Sequence, residues 1–129
     1  MKRAPQVFLS RHLAVLLLAT VAIGCGGPKQ ADPDQARATL TTALDAWRDG
    51  RTVDEVNNGS PAMTVADPSW KAGFKLSRYE LAESNASQGL DLKIPVELWL
   101  QDPKGKAVRE KVKYTVSVQP ARTVLRAPF

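Results

Sequence analysis

Two stretches of strict alternation in the second half of the chain limit what it can fold into. Leu90, Leu92, Ile94, Val96, Leu98 and Leu100 alternate with Asp91, Lys93, Pro95, Glu97, Trp99 and Gln101. After a short break, Val108, Val112, Tyr114, Val116 and Val118 alternate with Arg109, Lys111, Lys113, Thr115 and Ser117. Successive side chains of a strand point to opposite faces, so each stretch reads as a strand with one apolar and one polar face. Between them, Pro103-Lys104-Gly105 suits a three-residue hairpin loop, a type I turn followed by Gly105 in the left-handed region. That loop pairs Asp102 with Lys106, Trp99 with Arg109 and Glu97 with Lys111. On the apolar face it pairs Val96 with Val112 and Ile94 with Tyr114. A loop one residue longer would set each apolar row against a polar one, so the pattern selects the loop length. Pro95 cannot donate to a ladder and demands a bulge, a bend or an edge position.

The first half of the domain has a different period. Asp32-Pro33-Asp34-Gln35 carries a cap, a proline suited to the first helical position and a capping-box glutamine. Ala36, Leu40, Ala43, Leu44 and Trp47 then recur at helical spacing on one face, and Gly50 supplies a stop. Thr52-Val53-Asp54-Glu55 is a second capping box, opening a shorter helix that Asn57-Asn58-Gly59 ends. Residues 60–73 are punctuated by Pro61, Pro68 and Gly73, with Met63 and Val65 suited to a short strand and Asp67-Pro68-Ser69-Trp70 to a capped helical turn. Phe74 to Glu83 reads as a strand with mixed faces, and Asn85 to Gly89 as a turn. Helices first and an antiparallel sheet after them, with a helix stripe that must bury against the apolar sheet face, make the fold class α+β. The expected architecture is an N-terminal helix, plus a short second helix, packed on three to four strands.

The chain begins with a basic stretch, Lys2, Arg3 and Arg11, followed by an uncharged apolar run from Leu13 to Ile23. That run is shorter than the roughly 20 residues a membrane-spanning helix needs, so it reads as an export signal. It ends in Ala22-Ile23-Gly24-Cys25, which resembles the bacterial lipobox, with Ala22 where that pattern prefers Leu. The resemblance implies cleavage between Gly24 and Cys25, lipid on the Cys25 thiol, and a protein anchored to the bacterial cell envelope. Gly26, in place of the Asp that retains enteric lipoproteins at the inner membrane, points to the outer membrane facing the periplasm. The chain then divides into a signal peptide over residues 1–24, a lipidated cysteine and tether over 25–33, and a single α+β domain over 34–129. About eight tether residues hold the domain within about 25–30 Å of the bilayer, at roughly 3.3–3.6 Å per residue.

The element order over residues 34–119 is similar to cystatin-like folds, including the ketosteroid-isomerase-like group, in which a long helix packs across a curved antiparallel sheet. That resemblance implies an apolar pocket between helix and sheet. Leu44-Asp45-Ala46-Trp47-Arg48-Asp49-Gly50 and Val112-Lys113-Tyr114-Thr115-Val116 also resemble segments of small uncharacterised lipoproteins of planctomycete-type bacteria.

Composition narrows the chemistry. The chain holds one histidine and one cysteine. His12 falls in the leader and Cys25 would be taken by lipid. The domain therefore has no imidazole and no free thiol, which excludes Ser-His-Asp and Cys-His catalysis, internal disulfides, and zinc sites built from His and Cys. Neither a metal nor a cofactor is expected. The formal charge of +5 falls to +2 once Lys2, Arg3 and Arg11 are removed with the leader, which takes away most of the support for a nucleic-acid partner.

Three candidate features remain. Lys104, Lys106, Arg109, Lys111 and Lys113 cluster along one hairpin arm, a possible surface for an envelope protein or an anionic layer, or else a solvated strand face. Trp99 lies on the polar side of its strand, as a recognition aromatic or under Arg109 as a cation–π pair. Glu110 falls on the apolar face opposite Leu98, either as a buried carboxylate for acid chemistry or ligand contact, or near the sheet end reaching water. The leading reading is a non-enzymatic, membrane-anchored interaction module. The alternative is a cystatin-like pocket protein that binds a small apolar ligand or uses carboxylate chemistry, with Tyr79 and Tyr114 lining the pocket. A third is assembly through an exposed sheet edge.

Overall fold

The computed structural model describes residues 32–127. Gly24 and Cys25 lie outside the described residues. The fold is α+β: helix α1 (Pro33–Arg48), with the short helices α2 (Val53–Asn57) and α3 (Pro68–Lys71), packs against a curled sheet. The strands are β1 (Thr64–Ala66), β2 (Lys75–Leu81), β3 (Ala86–Gln88), β4 (Asp91–Gln101), β5 (Ala107–Ser117) and β6 (Thr123–Arg126), in the order β1-β6-β5-β4-β2, with β3 beside β4. All pairings are antiparallel except β1 with β6.

The ends of α1 form as the local chemistry requires. The Asp32 carboxylate accepts the N–H groups of Asp34 (2.9 Å) and Gln35 (3.4 Å), two donors that a helix N-terminus leaves open. At the other end Gly50 N–H reaches the Trp47 carbonyl and Arg51 N–H the Ala46 carbonyl, the paired bonds of a Schellman motif. Gly50 sits at φ +87, a region that a side chain would disfavour. Between these caps, Ala36, Leu40, Ala43, Leu44 and Trp47 are buried against the concave face of the sheet.

The β4–β5 hairpin has the expected register throughout: Ile94 with Tyr114, Val96 with Val112, Glu97 with Lys111, Leu98 with Glu110 and Trp99 with Arg109. Its loop is the three-residue type. Gly105 N–H bonds the Asp102 carbonyl, Asp102 N–H bonds the Lys106 carbonyl, and Gly105 lies at φ +86. The Asp102 carboxylate also accepts the N–H groups of Lys104 and Lys106, so the turn has its own cap.

Pro95 lies inside the sheet yet occupies a local edge. It falls where β2 has ended and β3 has not begun, with Ala82 N–H donating to the Pro95 carbonyl at 2.8 Å. An antiparallel pair at that position would normally return a bond from residue 95 to the Ala82 carbonyl, and proline has no N–H to give. Arg37, on α1, donates to that carbonyl instead (2.8 Å). The helix thus supplies the donor that the strand lacks.

The sheet is larger than the pattern alone suggested. The segment read as a turn at Asn85 to Gly89 contains β3, which folds back onto β4 through Gly89 and Leu90, leaving Leu90 exposed outside the strand. β6 arises from four residues after Pro120 in which Val124 is the buried apolar side chain, too short for a period to show. The mixed faces of β2 come from an irregularity between Leu76 and Arg78, where the extra residue Ser77 lets Leu76 and Tyr79 both face the helix.

Candidate functional site

The concave face is apolar over most of its width and ends in a cluster of charged side chains at the β5–β6 side. Asp67, the residue before α3, has a side chain 1% exposed. Its Oδ1 accepts the N–H groups of Ser69 (2.9 Å) and Trp70 (3.2 Å) and Nη1 of Arg126 (3.2 Å), while Tyr114 Oη donates to Oδ2. Arg126 also donates to Ser69 Oγ (2.6 Å) and to the Glu110 carboxylate. Burial, reinforced by the negative charge of Asp67, pushes the Tyr114 hydroxyl far above its ordinary range, so it stays protonated and acts as a donor. Burial alone would lower Arg126, but its hydrogen bond to Glu110 and the Asp67 charge raise it on balance.

Glu110 therefore faces inward as its place in the alternation requires, but it has a partner. Its side chain is 31% exposed at the rim and is bound to Arg126. Two carboxylates and the Ser69 hydroxyl converge on one guanidinium, and the Tyr114 phenol donates to one of those carboxylates. The arrangement joins α3, β5 and β6 through one hydrogen-bonded network. Among the described residues, no three His, Cys, Asp or Glu side chains are placed to hold a metal ion. As a cap Asp67 is legible in the local sequence; its bonds to Tyr114 and Arg126 are not. A signal was available: Arg126 shares a strand face with Val124, and Glu110 is the other charge on the apolar side, so two opposite charges faced inward on strands of unknown order.

The opposite, convex face carries the basic arm. Arg109, Lys111 and Lys113 share it, while Lys104 and Lys106 lie in and beside the hairpin loop. Trp99 lies between two guanidiniums, with Arg78 of β2 4.4 Å and Arg109 of β5 4.9 Å from its ring centroid. The Arg109 pairing follows from the register; the Arg78 pairing required the β2–β4 alignment. Arg109 is also bound to Glu97, and Arg78 to Glu80 (2.8 Å). The hydrogen bond from Arg109 holds the Glu97 carboxyl below its ordinary value. The arm is thus a mixed ladder in which acids interrupt the cations, with Lys104, Lys106, Lys111 and Lys113 exposed.

A cleft of about 630 Å³ opens where the C-terminal end of α1, α2, α3 and the start of β2 meet. Its apolar wall includes Trp47 and Trp70, stacked nearly parallel with centroids 5.2 Å apart. Both indoles are pinned: Trp47 Nε1 donates to the Phe74 carbonyl (2.7 Å) and Trp70 Nε1 to the Arg51 carbonyl (2.8 Å). The rim carries Arg48, Arg51, Lys71 and Lys75, with Asp54 the carboxylate among the lining residues. Tyr79 and Tyr114 do not line this cleft. Tyr79 instead donates to Asp45 of α1, and burial with that contact pushes its hydroxyl up to about 12.

No family model matches the chain, and neither the curated proteins nor the solved structures contain a match to it.

Proposed function

We propose that the protein is a lipid-anchored component of the bacterial envelope, held through Cys25 at the outer membrane facing the periplasm, whose domain is a non-enzymatic binding module. The observation that carries the module reading is the filled interior. Leu40 and Leu44 of α1 and Leu92, Ile94, Leu98 and Tyr114 of the sheet are each at or below 1% exposed. The space between helix and sheet, where a pocket enzyme would hold its substrate, is occupied by side chains. The tyrosines that would have faced it are bound to Asp45 and Asp67. Recognition then belongs to the outer surfaces, close to the membrane because the tether is short. The anchor rests on the basic start, the short apolar run and Gly24-Cys25.

Metabolic labelling with a fatty-acid probe tests the anchor: the wild type takes label and Cys25→Ser does not. Label surviving that substitution overturns the lipoprotein reading. For the module, a photo-crosslinking residue placed in cells at Lys113 or at Lys75 should give a discrete adduct at one of the two positions. Adducts at neither remove the support for recognition through these surfaces.

A further inference from the structure

We propose that the cleft beside Trp47 and Trp70 is a binding site for a small organic anion with a flat apolar body, of the aryl carboxylate or aryl sulfonate class. Its volume of about 630 Å³ falls within the range of small-molecule sites. One wall is apolar: Val53 and Phe74 are half-buried there, and Trp47 and Trp70 reach it with only 3% and 6% of their surface exposed. The hydrogen bonds from both indoles to backbone carbonyls hold that wall in place before any ligand arrives, so little order has to be gained on binding. The rim selects charge. Arg48 and Arg51 are paired with Asp45 (3.0 Å) and Glu55 (4.0 Å). The ammonium groups of Lys71 and Lys75 have no ion-pair partner among the described residues. A ligand anion would meet these two free cations at the mouth while its ring lay against the apolar wall. This deepens the binding-module reading and rests on it only in taking the domain to be a binder. The anchor is read by acyl labelling and the cleft by direct titration, so each can fail alone.

The test uses the full chain in nonionic micelles, with naphthalene-2-sulfonate as probe and the three tryptophan indole N–H signals as readout. Trp47 and Trp70 report the cleft, and Trp99, on the convex face, is the internal control. Saturable shifts of the first two signals, with Trp99 unmoved, are the expected result. The neutral analogue 2-naphthalenemethanol should bind more weakly. Reversing both lysines (Lys71→Glu with Lys75→Glu) should weaken the sulfonate by about tenfold, with micelle partition common to both proteins. The milder pair Lys71→Gln with Lys75→Gln should fall between, and it answers the question if the reversed protein is unstable. Shifts of all three indoles alike, absence of saturation, or equal affinity in wild type and both variants would overturn the site.

Discussion

Arg37 offers the sharpest test of how helix and sheet are joined. Its guanidinium donates to the Ala82 carbonyl, the acceptor that Pro95 cannot serve. Arg37→Met keeps most of the aliphatic stem and removes the donor. A hydrogen bond from a charged group contributes about 1.5–3 kcal/mol, but this carbonyl is only partly buried and water can reach it afterwards, so the loss should be about 1–1.5 kcal/mol. The diagnostic step is to repeat the change in a Pro95→Ala background. There the strand regains an N–H facing Ala82, the carbonyl has its ladder partner, and Arg37→Met should cost less than about 0.5 kcal/mol. Tryptophan fluorescence during urea unfolding reads both, since a slope of about 1 kcal/mol per molar converts the larger loss into a midpoint shift near 1 M. Equal losses in the two backgrounds would refute the argument: Arg37 would then be a passing surface contact and the missing proline donor would be satisfied some other way.

Three further outcomes follow from the same geometry. Gly105→Val should destabilise by about 1–2 kcal/mol, the cost of a side chain in the left-handed region, and an unchanged urea midpoint would contradict the turn. Because the Tyr114 hydroxyl is raised in the fold, its stabilisation is whole below the ordinary tyrosine value near 10 and is lost as pH climbs past it. The decline attributable to it should be about 1.4 kcal/mol per pH unit, and Tyr114→Phe should flatten the alkaline arm of the stability profile while lowering the plateau at neutral pH by about 1 kcal/mol. Trp99→Ala releases two guanidinium contacts at about 0.5–1 kcal/mol each, a loss that should appear in thermal unfolding but leave the cleft indoles unshifted.

What could be read in advance was whatever the chain encodes over short distances. The Pro103-Lys104-Gly105 turn and the two alternating rows determine one register between them, because a slip of one residue would turn Ile94 and Val112 to water. Asp32, Thr52 and Asp67 sit one residue before their helices, and each carries its cap. The charged cluster was beyond reach because its members are far apart in sequence: Tyr114 to Asp67 spans 47 residues and Arg126 to Asp67 spans 59. No periodicity announces such a meeting, which depends on β6 lying between β5 and β1. β3 and β6 escaped for a related reason, as three or four residues show no period and gain their strand character from the neighbour they pair with. Trp47 falls on the apolar stripe of α1 and Trp70 in the turn that Asp67 caps, but their stacking and the cleft beside them depend on α1 and α3 ending at the same point.

The two borders of the sheet bear on where a partner can attach. A bare border strand invites another chain to pair with it. At β1 the Asn57 side chain accepts Val65 N–H (2.7 Å) and donates to the Val65 carbonyl (3.3 Å), taking the place of a neighbouring strand. At β2 the irregularity around Ser77 breaks the run, Lys75, Arg78 and Glu80 put charge along it, and α1 reaches its length through Arg37 to Ala82, Asp45 to Tyr79 and Trp47 to Phe74. The borders at β1 and β2 are therefore managed within the fold, which disfavours attachment by strand addition there. The concave face is filled by α1. For the binding function proposed above this leaves the convex face, where acids interleave the basic arm, and the cleft, where Lys71 and Lys75 have no ion-pair partner among the described residues. The cleft joins two lysines without an ion-pair partner among the described residues to an apolar wall whose indoles are already fixed, and it is the surface on which the proposed binding should first be sought.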